Sequence, residues 1–188
     1  MVSFSSLFRS NAQRSGRNLL ITVLLATASL GLLAGCSDGS DPALPLGSWE
    51  SSFGEVYTIS RSSVTYSSDG TSSTYEASIV YIDDGSLNGG DTAMTTDGDT
   101  AVNPGFAVIR YTSTADASWG EVGKYNVFRW ADGESDSQKV MTQGGKYSGT
   151  FGDEDYRMVV FDSSSAARLG ATNDAGYFSF ASTVTEQE

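Results

Sequence analysis

The chain has 188 residues, no histidine and a single cysteine, Cys36. Ser-His-Asp and Cys-His catalysis, histidine-ligated zinc and an intramolecular disulfide are therefore excluded. Eleven basic residues stand against 23 acidic ones, a formal net charge of −12, and a surface of that sign repels phosphate backbones, so no nucleic-acid partner is expected.

In chain order, the first element is a basic stretch ending at Arg17, with Arg9 and Arg14 before it and no acidic residue ahead of Cys36. An apolar run from Leu19 to Leu33 follows, the order of an export signal. A membrane-spanning helix is the rival reading, but Thr22, Thr27, Ser29 and Gly31 interrupt the run. It also falls short of the roughly 20 apolar residues a span requires. Leu33-Ala34-Gly35-Cys36 resembles the lipobox of bacterial lipoproteins. The resemblance implies that residues 1–35 are a signal peptide that is cut away and that Cys36 becomes the lipidated first residue. It also implies an exported protein held in the cell envelope by its lipid. In the same family an aspartate after the cysteine favours the inner membrane, so Ser37 points to the outer membrane. Two or three acyl chains anchor firmly where one holds only marginally.

Removing 35 residues leaves 153, with eight basic against 23 acidic residues and a formal charge of −15. That length suits one domain with its own core. Residues 36–46 are small, polar and proline-containing, as a lipidated tether requires, and 47–188 are expected to form a single domain. Tyr, Trp and Phe recur throughout it, which sets it apart from acidic disordered tails.

Short β-favouring runs then succeed one another: Glu55–Ser60 and Ser63–Ser67, close enough for a hairpin; Tyr75–Ile82, with Tyr75, Ala77, Ile79 and Tyr81 on one face; Phe106–Thr112; Lys124–Trp130; Lys139–Thr142; Tyr147–Phe151; Tyr156–Phe161; and Tyr177–Ser182. Gly, Asp and Ser cluster between them, as turns require. Residues 83–105 have no apolar period and read as a long loop. One short helix is expected over Ser164–Leu169, capped by Asp162 or Ser163 and stopped by Gly170. Many short strands with one late helix indicate an all-β antiparallel barrel, with a β-sandwich as the alternative.

Chemistry-bearing motifs are sparse. Gly144-Gly145-Lys146 lacks the earlier glycine and the Ser or Thr of a phosphate loop and reads as a turn. The carboxylate pairs Asp83-Asp84 and Asp153-Glu154-Asp155 raise glycosidase chemistry, which needs a defined separation, but adjacent acids are expected on so acidic a surface, and no enzyme is predicted. Asp97-Gly98-Asp99, with Asp91 and Asn103 nearby, offers oxygen ligands to calcium. Ala101 and Val102 break the EF-hand pattern, and a flexible acidic loop is the preferred reading, so neither metal nor cofactor is expected. The aromatics fit either a core or a pocket for a carbohydrate or a small apolar ligand.

Gly47-Ser48-Trp49 resembles the Gly-x-Trp signature that opens lipocalins and the wider calycin group. The resemblance implies an up-and-down barrel whose closed end is plugged by Trp49 and whose other end admits a small hydrophobic ligand. Asp155-Tyr156 resembles part of that family's Thr-Asp-Tyr turn, with Glu154 in place of the threonine. Arg157 and Arg168 are the candidates for the basic residue that covers the tryptophan. The expectation is a membrane-anchored envelope protein binding a small apolar or amphipathic molecule in its barrel. The alternative is a structural or protein-interaction module with a filled core.

Overall fold

A computed structural model describes residues 43–83, 94–96, 99–101, 104–178 and 181–188, with the backbone alone for 94–96 and 99–101. Cys36, most of the tether, Asp84, Asp91, Asp97 and Asn103 lie outside the described residues; Asp99 is described only as part of a strand backbone.

Twelve strands and one helix follow in chain order: β1 Gly47–Ser51, β2 Val56–Ile59, β3 Ser63–Ser67, β4 Tyr75–Asp83, β5 Met94–Thr96, β6 Asp99–Ala101, β7 Gly105–Thr114, β8 Tyr125–Asp132, β9 Gln138–Gln143, β10 Tyr147–Ser148, β11 Arg157–Met158, α1 Ser164–Gly170 and β12 Ser182–Glu186. Eight of them close a barrel in the order β1-β2-β3-β4-β7-β8-β9-β12, and β12 pairs back onto β1. Every pair is antiparallel. The fold is thus an up-and-down barrel, not a sandwich, and closure leaves no edge exposed. Two small ladders, β5 with β6 and β10 with β11, stand outside it.

Alternation sends one side chain in two into the barrel. Trp49, Ile59, Val64, Ala107 and Trp130 fill the end at which β1 begins, and Tyr57, Ile109, Phe128, Met141 and Val184 fill the middle; all are buried. Gly105 makes this packing feasible: a Cβ there would lie 2.4 Å from Cε2 of Trp130, whose ring lies against the strand. The end is sealed from below by the chain leading into β1, where Leu44 packs on the core and the Pro45 carbonyl accepts the Trp49 Nε1–H at 3.1 Å.

A second, smaller core lies on the outside. Ser163 caps α1 by accepting the Ala166 N–H, and the helix lays Ala167 and the following Ala171 against Phe106, Val108 and Val127 on the outer faces of β7 and β8. Tyr177 and Phe178 complete it, and the Arg129 guanidinium lies 4.5 Å from the centre of the Phe178 ring.

Four expectations are corrected. Tyr81 does not share a face with Tyr75, Ala77 and Ile79: the ladder of β4 with β7 shifts register between Ile79 and Tyr81. The extra residue turns Tyr81 outward to Phe106, 5.9 Å between ring centres. Tyr177 and Phe178 are not a strand; the final strand begins at Ser182. The expected strands over 147–151 and 156–161 shrink to the two-residue β10 and β11, with Phe161 bridging to Tyr125. The expected long loop after β4 contains the β5–β6 ladder.

Candidate functional site

At the Trp49 end β2 joins β3 and β8 joins β9 through short turns, and residues 84–104 lead from β4 to β7. At the opposite end, β1 joins β2, β3 joins β4, β7 joins β8, and the long segment 144–181 leads from β9 to β12. The β1–β2 and β7–β8 connections and the 144–181 segment contribute walls to a pocket of about 300 Å³ whose floor includes Tyr57, Tyr66 and Met141. That is the small end of the roughly 300–1,000 Å³ typical of ligand sites.

Each wall is set locally. Ser51 ends β1, and its hydroxyl accepts the N–H groups of Phe53 and Glu55, both at 3.2 Å. Gly54, at φ +82, then turns the chain so that Glu55 stands at the rim. The Glu55 carboxylate is fixed from both sides: Tyr66 Oη donates to Oε1 at 2.8 Å and Ser182 Oγ to Oε2 at 2.7 Å. Trp119 comes from a turn closed by its own N–H to Asp116 O at 3.2 Å, and the Met158 N–H ties that turn to β11 through Ala117 O at 2.9 Å. Its ring lies 5.5 Å from that of Tyr66. Gly145 donates to Tyr177 O at 2.7 Å, which fastens the remaining wall, and Tyr147 completes the rim, stacked on Tyr156 at 4.9 Å.

Beside the pocket floor lies a polar cluster. Asn126 Nδ2 donates to Tyr111 Oη at 3.1 Å and to Gly144 O at 2.8 Å, and Gln143 Nε2 also donates to Tyr111 Oη. Met158 Sδ accepts from Tyr111 at 3.3 Å and from Asn126 and Gln143 at 3.2 Å. Tyr75, stacked on Tyr66 at 5.3 Å, carries a buried hydroxyl with no hydrogen-bond partner among the described residues. Burial holds the phenols of Tyr57, Tyr75 and Tyr111 neutral far above their usual range. Burial does the same for Tyr66, assisted by the neighbouring Tyr57 and the Glu55 carboxylate.

The residues singled out in the sequence are scattered. Gly47 opens β1 at φ +112, and Trp49 is buried at the end away from the pocket. Neither Arg157 nor Arg168 covers Trp49: Arg157 is exposed, with Nε 3.3 Å from Asp155 O, and Arg168 lies over Tyr81 at 4.9 Å. The cation nearest the tryptophan is instead Lys139, 6.0 Å from the ring centre and paired with Asp132 at 2.6 Å. Asp83 accepts the Tyr81 hydroxyl, and Asp153, Glu154 and Asp155 sit exposed in the β10–β11 connection. Among the described residues no group of acids could hold a metal ion. The pocket residues Glu55, Trp119, Gln143, Tyr147 and Met158 went unrecognised as a set; the aromatic-rich, otherwise polar connections at one end were the only signal for them.

Comparison of the chain with known family models, curated proteins and solved structures finds no match.

Proposed function

We propose that the protein is a lipid-anchored component of the cell envelope that binds a small amphipathic molecule at the mouth of its barrel. The observation that carries the binding half is the 300 Å³ pocket at the end away from Trp49, with an aromatic floor and a few fixed polar groups at its rim. That combination is what ligand sites use to bury an apolar body while orienting a polar end. Because Tyr57, Phe128, Trp130 and Met141 fill the barrel below it, the ligand is small and sits in the mouth rather than along the axis.

Support for the anchor is the Leu33-Ala34-Gly35-Cys36 sequence behind an apolar run. A tether of residues 36–46 reaches roughly 40 Å at most and joins the domain at Gly47, at the end of the barrel away from the mouth. Cys36→Ser should abolish incorporation of labelled fatty acid and release the protein from the membrane fraction. Wild type recovered soluble, unlabelled and cleaved elsewhere would end the lipoprotein reading.

One observation favours an interaction module instead. Phe53, Val122 and Phe151 are 77%, 58% and 85% exposed, and all three lie in connections at the mouth end. Titration of the wild-type chain with an environment-sensitive amphipathic dye separates the two. Saturable one-site binding, weakened by Trp119→Ala, supports the pocket; absence of binding favours a docking role.

A further inference from the structure

This inference rests on the mouth pocket being a ligand site and concerns what that site selects. Among the described residues Glu55 is the only charged one lining the pocket. Its two oxygens accept hydroxyl hydrogen bonds from Tyr66 and Ser182, which orient the carboxylate and leave its charge in place. Among the described residues no lysine or arginine lines the pocket, and the nearby Lys146 directs its ammonium to the Tyr177 ring, 5.5 Å from its centre. A carboxylate held in place by two hydroxyls, with no cation beside it in the pocket, offers a fixed partner to a positively charged guest.

The surrounding rings are arranged to receive the rest of such a guest. Tyr57 and Tyr66 lie 4.9 Å apart at 45°, and Tyr66 and Trp119 lie 5.5 Å apart at 44°. These rings line one concave space together with Tyr147. Aromatic faces attract organic cations, tryptophan most strongly, and enclose their methyl groups at the same time. An anionic ligand would meet Glu55 and the acidic surface outside it, a net charge of −12 over the whole chain.

We infer that the pocket takes a small organic ammonium ion, its charge against Glu55 and its methyl or methylene groups among Tyr57, Tyr66, Trp119 and Tyr147. The full chain in non-ionic detergent, titrated calorimetrically with choline and with its uncharged carbon isostere 3,3-dimethylbutan-1-ol, tests this. Choline should bind at least tenfold more tightly than the isostere. Glu55→Gln should remove most of that difference, bringing the choline-to-isostere affinity ratio close to one. Trp119→Leu, which keeps the charge but opens the cage, should weaken both probes. Equal binding of the two probes by wild type would overturn the ammonium inference and leave the ligand pocket standing. Failure of both probes, and of the amphipathic dye, would overturn the pocket along with it. Should Glu55→Gln fail to fold, the choline-to-isostere ratio of wild type still decides.

Discussion

Two tyrosines show how differently one side chain behaves inside the same barrel. Tyr111 Oη is engaged by Asn126, Gln143 and Met158, whereas the Tyr75 hydroxyl, stacked beneath Tyr66, has no partner among the described residues. Removing one member of a satisfied buried network strands the others, and removing a stranded group relieves its desolvation. Tyr111→Phe should therefore lower stability by about 1–3 kcal/mol, and Tyr75→Phe should raise it by roughly 1 kcal/mol. Chemical denaturation of both variants checks this; equal losses from the two would mean that Tyr75 is satisfied after all. Glu55 and Trp119 could not have been identified as a pair from sequence. Glu55 opens a β-favouring run, Trp119 falls between two others, and only closure of the barrel brings both to one pocket.

At the level of elements, most strands were readable because β-branched and aromatic runs alternate cleanly between turn residues. The exceptions have physical causes. Tyr177 and Phe178 have the composition of a strand but bury their rings against the outer face of β7 and β8 beside α1, so composition alone misplaces them. β12 was missed because only Val184 is a fully buried aliphatic side chain within Ser182–Glu186. Tyr81 turned outward because a one-residue bulge reverses the phase of everything after it. The pairing of β7 with β8 gives a prediction at this scale. Gly105 faces Trp130 across the ladder, and a methyl group there would meet the indole at 2.4 Å. Gly105→Ala should cost about 1–3 kcal/mol by overpacking, read as a lower thermal midpoint. A variant melting like wild type would show that the Trp130 ring does not lie against the strand.

For the molecule as a whole, the all-β class and the late helix were legible in the pattern of the sequence, the up-and-down barrel was what the Gly47-Ser48-Trp49 resemblance implied, and the mouth pocket was not legible. The strands follow from repeated local patterns, whereas the pocket is assembled from six separated segments between Glu55 and Ser182. The tyrosine-rich interior sets how the fold responds to alkali. Burial raises the phenols of Tyr57, Tyr66, Tyr75 and Tyr111 above their ordinary value of 10 in the folded state, while in the unfolded chain they ionise at that value. The stability they protect is fully present below pH 10 and is lost as the pH rises beyond it. Tyrosinate absorbance should rise first from exposed tyrosines and then abruptly as the barrel opens, in step with loss of the β circular-dichroism signal. A single smooth ionisation of all tyrosines with the fold intact would contradict the packing.

The central claim is that the barrel binds its ligand at the mouth, over Tyr57 and Tyr66, and nowhere near Trp49. Backbone chemical shifts of the isotope-labelled protein, followed during titration with an amphipathic probe, test that claim most directly. Saturable changes should concentrate at Glu55, Tyr57, Trp119, Gln143 and Tyr147 and leave Gly47, Trp49 and Lys139 unmoved. Changes centred on Trp49 and Lys139, or none at any residue, would contradict it.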